Sequence, residues 1–161
     1  MRSTALHIQH RSRQRGVAII EFALILPFLL LLSFITFEFG RALYQYNVLV
    51  KSARDSARYL SMQTPGPGPA IAVSKNLLIY GNLDGTGTPQ VVGLAFDQAM
   101  NPAWALKGSD PVINTVTVRL AGCGTSAPPC YKFTPLISSA FGLTFAEINF
   151  ADITATMRAP L

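Results

Sequence analysis

An apolar run near the N-terminus constrains this chain more than any other feature. Residues 17–37 read VAIIEFALILPFLLLLSFITF and hold a single charged side chain, Glu21. In a helix these 21 residues would extend roughly 31 Å, close to the thickness of a bilayer hydrocarbon core. The run is longer than the apolar region of a secretory signal, about 7–15 residues, and no small-x-small cleavage site follows it. We therefore predict a transmembrane helix.

The excess of basic charge lies in front of this run. Four arginines precede Gly16 without any acid, whereas the rest of the chain holds nine bases and eight acids. By the positive-inside rule, we expect a cytoplasmic N-terminus and a chain that lies outside the inner membrane after about Arg41. A charge confined to one end does not form a nucleic-acid-binding face, so no nucleic-acid partner is predicted. Both histidines, His7 and His10, lie in the same stretch, so the remainder offers no His-based triad or metal site.

The order of residues around Gly16 resembles a prepilin-type processing signal. A basic leader ends at Gly16, four apolar residues from Val17 follow, and then come Glu21 and an aromatic residue, Phe22. Cleavage after Gly16 by a membrane prepilin peptidase would free the α-amine of Val17. An ammonium and a carboxylate are both costly in lipid, so pairing this amine with Glu21 of a neighbouring subunit would offset their desolvation. Two other interpretations stay open: a Val17–Glu21 pair within one helix, and a glutamate that reaches the cytoplasmic headgroups.

A longer stretch, residues 13–61, resembles the TadE-like family of tight-adherence pilus pseudopilins. The matching motifs are Arg15-Gly16, Glu21-Phe22, Leu26-Pro27, Glu38-Phe39-Gly40-Arg41, Ala53-Arg54 and Ala57-Arg58. The resemblance implies a minor subunit of a thin adhesive pilus, or of its assembly machine, that is processed and anchored in the manner of type IV pilins. It also implies four partners besides the membrane: prepilin peptidase, the major pilin, other pseudopilins and an inner-membrane assembly platform.

The helix is expected to continue beyond the membrane. Apolar residues recur at helical spacing after Arg41, and they predict one helix over residues 17–62. They are Leu43, Tyr46, Val50, Ala53, Ala57 and Leu60. Two uses of this stripe are open: covering the globular domain, or packing against other helices in a filament. Residues 1–16 are then a leader that is removed, and residues 63–161 form a small periplasmic head.

The head is expected to be α+β, with an antiparallel sheet. Alternation of apolar and polar residues predicts a strand over Pro111–Ala121 and a second over Glu147–Arg158, with a break near Asp152. Further expectations are a strand over Gln90–Phe96 and short helices over Val73–Tyr80 and Leu136–Gly142. The fold predicted for the whole chain is pilin-like: a long N-terminal helix followed by this small domain.

Cys123 and Cys130 are the only cysteines, and they bracket the turn-forming sequence GTSAPP. An oxidising compartment and this spacing favour a disulfide over a metal site or a redox pair. The acids elsewhere are dispersed, and glycine-rich phosphate loops are absent from the sequence. We predict no catalytic residues, no metal and no cofactor.

Together with these patterns, the resemblance to the TadE-like family implies a non-enzymatic pseudopilin in the bacterial inner membrane. Its role would lie in pilus assembly, surface adhesion and biofilm formation, with incorporation into a surface pilus as one fate. The first alternative is a static membrane-anchored module whose head binds a periplasmic ligand. The second is an anchored enzyme, for which the sequence gives no positive sign.

Overall fold

The computed structural model describes residues 14–66, 68–140 and 142–159, and its longest element is a single helix. This helix, α1, covers Gln14–Leu60, or 47 residues. At 1.5 Å per residue it is about 70 Å long. Pro27 and Gly40 both lie within it. It begins three residues before the predicted start and ends two residues before the predicted end. Residues 1–13 of the predicted leader lie outside the described residues.

The two halves of α1 differ in burial. Side chains from Val17 to Phe37 are exposed or half-buried, whereas one face from Glu38 to Leu60 is covered by the rest of the chain. Leu49, Ala53, Ala57 and Leu60 are fully buried on that face. The C-terminal part of the predicted apolar stripe, which includes Ala53, Ala57 and Leu60, therefore packs against the head. Leu43 and Tyr46, at its N-terminal end, remain substantially exposed.

A second helix, α2, covers Pro69–Tyr80 and packs against α1. It begins four residues before the predicted helix, with a proline at its start, where the fixed φ of proline suits the first helical turn. The hydroxyl of Ser56 on α1 donates a hydrogen bond to the Ser74 carbonyl oxygen, 2.9 Å away. Both serines are buried, so this bond satisfies polar groups inside the helix–helix contact.

The main sheet has three antiparallel strands in the order β1-β2-β7. They cover Ala103–Lys107 (β1), Ile113–Leu120 (β2) and Ile153–Arg158 (β7). The predicted face of β2, with Val116, Val118 and Leu120, is buried. These side chains join the buried face of α1 in one hydrophobic core. Each large aliphatic side chain buried in this way contributes about 1.5–3 kcal/mol. The long helix and antiparallel sheet confirm the predicted α+β class.

Two short strand pairs lie between β2 and β7. Lys132–Phe133 (β3) pairs with Ile148–Asn149 (β6), and Ser139–Ala140 (β4) pairs with Leu143–Thr144 (β5). The predicted strand over 147–158 is thus divided at residues 150–152, near Asp152 as expected. Its two parts, β6 and β7, have different partner strands.

Two predictions of secondary structure were wrong. Gln90–Phe96 is not a strand, because Gly93 has a left-handed φ of 83° that turns the chain and lets Val91 and Leu94 both enter the core. Leu136–Gly142 is not a helix. Ser139 and Ala140 form β4 there, and the N–H groups of Leu136 and Ile137 bind a side chain of α1 instead of helical carbonyls. Strand β1 was not predicted from the sequence.

Candidate functional site

The predicted processing and assembly residues lie together at the start of α1. Gly16, Val17, Glu21 and Phe22 are all exposed, Val17 at 66% and Phe22 at 59%. Val17 and Glu21 are four residues apart, about 6 Å along the helix axis. No described side chain forms an ion pair or hydrogen bond with Glu21. A carboxylate in an exposed apolar helix is thus available to a group from another molecule.

Among the described residues, one helix is long and apolar enough to cross a membrane. None of its most apolar 18-residue stretch is buried by the rest of the chain. A core helix of a water-soluble domain would be covered instead. The exposed N-terminal half of α1 is therefore consistent with a single-pass membrane anchor.

A charged cluster joins α1 to the head just after the apolar run. We call it the exit cluster: Glu38 and Arg41, with the backbone of Thr134, Leu136 and Ile137. The carboxylate of Glu38 accepts hydrogen bonds from the N–H groups of Leu136 (3.1 Å) and Ile137 (3.3 Å). Its other oxygen is 2.8 Å from Nη2 of Arg41, and the same nitrogen donates to the Thr134 carbonyl oxygen at 2.8 Å.

The charged groups of the exit cluster are largely shielded from solvent. Glu38 is only 5% exposed, and the Arg41 guanidinium also lies 4.5 Å from the centre of the Phe133 ring. A buried charge of this kind is tolerated because it is paired and its remaining oxygen accepts two donors. The cluster therefore fixes a loop of the head to one turn of α1.

A second attachment lies one to two turns farther along α1. The Tyr131 hydroxyl donates to Oε1 of Gln45 at 2.7 Å, and both side chains are buried. The rings of Tyr131 and Tyr46 both approach Phe150, with centroids 5.9 and 5.4 Å from it. Burial raises the pKa of the Tyr131 hydroxyl to about 12, although the nearby positive charge of Arg41 acts in the opposite direction.

The cysteines form a disulfide at the end of β2. The Sγ atoms of Cys123 and Cys130 are bonded, and the bond closes a turn beside Asp152. Asp152 accepts hydrogen bonds from the Gly122 N–H and the Ser126 hydroxyl, and it forms an ion pair with Arg119. Burial alone would raise the pKa of the Asp152 carboxyl, but these donors lower it to about 2. We call the turn after β2, residues 121–130, the braced turn, because the disulfide and the contacts of Asp152 hold it in place.

The described residues include no group of three or more His, Cys, Asp or Glu that could hold a metal. An open cavity of about 590 Å³ is lined by residues that include Lys75, Asp97 and Ser126. These side chains come from separate elements, and the lining includes neither a histidine nor a pair of acids.

Sequence reasoning found some of these residues and missed others. Glu38 and Arg41 were noted only as a family motif, although a charged pair directly after an apolar run is a visible signal. Gln45 and Tyr131 were not singled out, because a buried glutamine on a helix resembles any exposed one in the sequence. The contact between them spans 86 residues and has no local signature.

Comparison with known proteins gives one result. The family model described as TadE-like protein matches residues 16–58. No curated protein and no solved structure matches the chain. This match covers 43 of the 161 residues, about a quarter of the chain, so it describes that segment and not the whole chain. It covers the predicted processing motif, the apolar run and both charged residues of the exit cluster. It confirms the resemblance to the TadE-like family that the sequence motifs indicated for this segment.

Proposed function

We propose that this protein is a minor pilin-like subunit, a pseudopilin, of a tight-adherence pilus or a related secretion system. It would act in pilus assembly, and through the pilus in surface adhesion and biofilm formation. The observation that carries the proposal is the exposed apolar half of α1 with Glu21 near its start, within the segment that matches the TadE-like family. A helix of this kind can be held first by lipid and then by neighbouring subunits.

The proposed path begins with insertion of α1, with the N-terminus in the cytoplasm and the head in the periplasm. Prepilin peptidase then cleaves after Gly16 and frees the α-amine of Val17. The buried face of α1 is already occupied by the head, so the exposed N-terminal half is the part left for the major pilin and other pseudopilins. An assembly platform in the inner membrane would move the subunit out of the bilayer.

Glu21 has a specific role in this path. Its carboxylate has no partner among the described side chains, and it lies in an apolar surface. When the neighbouring subunit is displaced axially by about 6 Å, its Val17 amine comes to the level of this carboxylate. Pairing of the two charges then offsets the cost of keeping each in an apolar medium, and it favours one register of packing.

The role of Glu21 is tested with Glu21→Ala in the native host. Ile20→Ala is the matched control, since it also shortens an exposed side chain on the same turn. We expect Glu21→Ala to insert into the inner membrane at the normal level but to be absent from sheared filaments, with adhesion lost, while Ile20→Ala assembles. Normal piliation and adhesion in Glu21→Ala would refute the role.

Processing is tested by the intact mass and N-terminal sequence of protein extracted from native membranes. A chain that starts at Val17 supports the pseudopilin proposal. A chain that retains residues 1–16 favours a static anchored binding module, and a start near residue 40 favours a secreted domain released from a signal peptide.

A further inference from the structure

We propose that the loop between β3 and β6 rests in the outer surface of the bilayer beside α1, as a second membrane contact of the head. This loop, residues 134–146, is called the uncharged loop, and the structure describes its residues 134–140 and 142–146. The inference rests on the part of the proposed function in which α1 spans the membrane. It commits to lipid, and not to another protein, as the surface that covers this loop.

The composition of the loop is the first argument. No charged residue occurs in the 14 residues from Phe133 to Ala146. The charges that flank this stretch, Lys132 and Glu147, lie on or beside β3 and β6 and pair with each other at 2.8 Å. The two charged residues at the ends of the uncharged segment thus pair with each other, and no residue between them carries a charge.

Exposure of apolar side chains is the second argument. Leu136 is 69% exposed and Leu143 is 52% exposed. Single exposed leucines are ordinary on protein surfaces, but these two belong to a loop that also borders an apolar cavity of about 140 Å³. That cavity is lined by both the loop and α1, with Pro135 and Phe145 on one side and Ile35 and Phe39 on the other.

The position of the loop along α1 is the third argument. The exit cluster binds the loop backbone to Glu38 and Arg41, and Glu38 directly follows the last residue of the apolar run. One residue of helix rises about 1.5 Å, so the loop is fixed within a few ångströms of the point where the apolar run ends. When residues 17–37 span the hydrocarbon core, this level is the outer lipid interface.

The exit cluster also removes the main obstacle to such a contact. Glu38 would be costly at the edge of the hydrocarbon region as a free carboxylate. It is buried, paired with Arg41 and bonded to two N–H groups of the loop, so it presents no unpaired charge to lipid. The exposed side chain of Phe39 on α1, which also lines the cavity, continues the same apolar surface, and the hydroxyl groups of Ser138 and Thr144 suit an interface that is partly polar.

The test uses the full chain, with its disulfide intact, in lipid nanodiscs that hold one copy each. An environment-sensitive fluorophore is attached at a single introduced cysteine, in Leu136→Cys or Leu143→Cys. Leu106→Cys on β1 is the matched control because Leu106 has the same exposure as Leu136, 69%, but lies in the main sheet. Leu29→Cys, in the middle of the apolar run, reports whether α1 is in lipid.

We expect the probes at 136 and 143 to emit at shorter wavelength than the probe at 106, to be quenched by lipids with a nitroxide high on the acyl chain, and to lose quenching by aqueous iodide. Iodide quenching at 136 and 143 equal to that at 106 would overturn the inference. Shielding that appears only in discs with several copies would also overturn it, since the covering surface would then be a second copy. A probe at 29 that iodide reaches would refute the membrane span and hence the proposed function as well.

Discussion

At the scale of single residues, Glu38 does more than its place in a helix suggests. It is the first charge after Glu21, yet it is 5% exposed and its two oxygens bind Arg41 and the backbone of a loop nearly a hundred residues later. A carboxylate is needed here because one oxygen accepts two N–H groups while the other faces a guanidinium. Glutamine would direct its amide N–H groups toward one of these donors.

Glu38→Gln is therefore expected to lower the free energy of unfolding by about 2–3 kcal/mol, because it leaves the half-buried Arg41 without its counter-charge. Amide exchange at Leu136 and Ile137 should rise more than at β2, since their acceptor is weakened. Unfolding can be followed in detergent micelles by the fluorescence of Trp104, the only tryptophan.

Glu147→Gln is the control for this change. Glu147 also pairs with a cation, Lys132, at 2.8 Å, but both side chains are nearly half exposed, at 46% and 48%. Solvent screens such a pair, and its loss should cost less than about 1 kcal/mol. Equal effects of the two substitutions would show that the exit cluster adds no more stability than an exposed ion pair.

At the scale of elements, α1 and β2 follow from local pattern, whereas the regions around residues 90–96 and 136–142 do not. An apolar run and an alternating strand carry their own periodicity, so their burial can be read from the sequence. The buried face of α1 is less visible in the sequence because it includes four polar residues, Glu38, Gln45, Ser52 and Ser56. Each of the four has a hydrogen-bond partner, so its burial leaves no polar group unsatisfied. A buried face predicted only from the spacing of apolar residues is therefore incomplete.

Of the two wrong predictions, one involves a partner that is distant in the sequence and the other a local glycine conformation. Leu136 and Ile137 are helix-compatible side chains, but their backbone N–H groups are taken by Glu38. Val91 and Leu94 are three residues apart and both enter the core. The chain turns between them because Gly93 adopts a left-handed conformation, which the residue pattern alone does not distinguish from a strand. The exit cluster itself could be suspected from its motif, but its loop could not be identified without the fold.

Gly122 tests the braced turn at the end of β2. A Cβ at this position would collide with the carbonyl oxygens of Phe150 and Ala151, which are backbone atoms and cannot turn aside. We expect Gly122→Ala to lower the free energy of unfolding by about 1–3 kcal/mol, the range for inserting a group into a filled site. Thermal unfolding in micelles, followed by Trp104 fluorescence, measures the change.

Gly40→Ala is the matched substitution with the opposite expected sign. Gly40 lies inside α1, and a methyl group added to its Cα would meet no atom within 4 Å, so alanine adds no collision there. Alanine is favoured over glycine in a helix interior by about 0.5–1 kcal/mol. Destabilisation by both substitutions would contradict the view that Gly122 is required for close backbone approach.

At the scale of the whole molecule, α1 is one continuous helix with two environments. The side chains of its first half are exposed or half-buried, whereas one face of its second half is buried against the head. The exit cluster and the Gln45–Tyr131 bond attach the head to α1 at successive turns. Force or movement applied to the N-terminal half would therefore be transmitted directly to the head.

Tyr131 gives this attachment a pH dependence. Its hydroxyl has a pKa of about 12 in the folded protein because of burial, against about 10 in an unfolded chain. A raised pKa means that the folded state holds the proton more tightly, so the stabilising effect is complete below pH 10 and is lost as pH rises toward 12. By pH 11.5 the loss reaches about 2 kcal/mol.

Tyr131→Phe isolates this effect, because the other tyrosines titrate alike in both proteins. At pH 8 the variant should be less stable by about 1–2 kcal/mol, since Gln45 loses its donor inside the head–helix contact. Between pH 9 and pH 11.5 the difference between the two proteins should shrink, as the wild type alone gives up the contribution of a protonated Tyr131. Urea midpoints in micelles across this range, read from Trp104 fluorescence, measure both quantities. A constant difference across the range would show that Tyr131 is not held in its protonated form by the fold, and equal stability of the two proteins at pH 8 would show that its bond to Gln45 does not stabilise the contact of the head with α1.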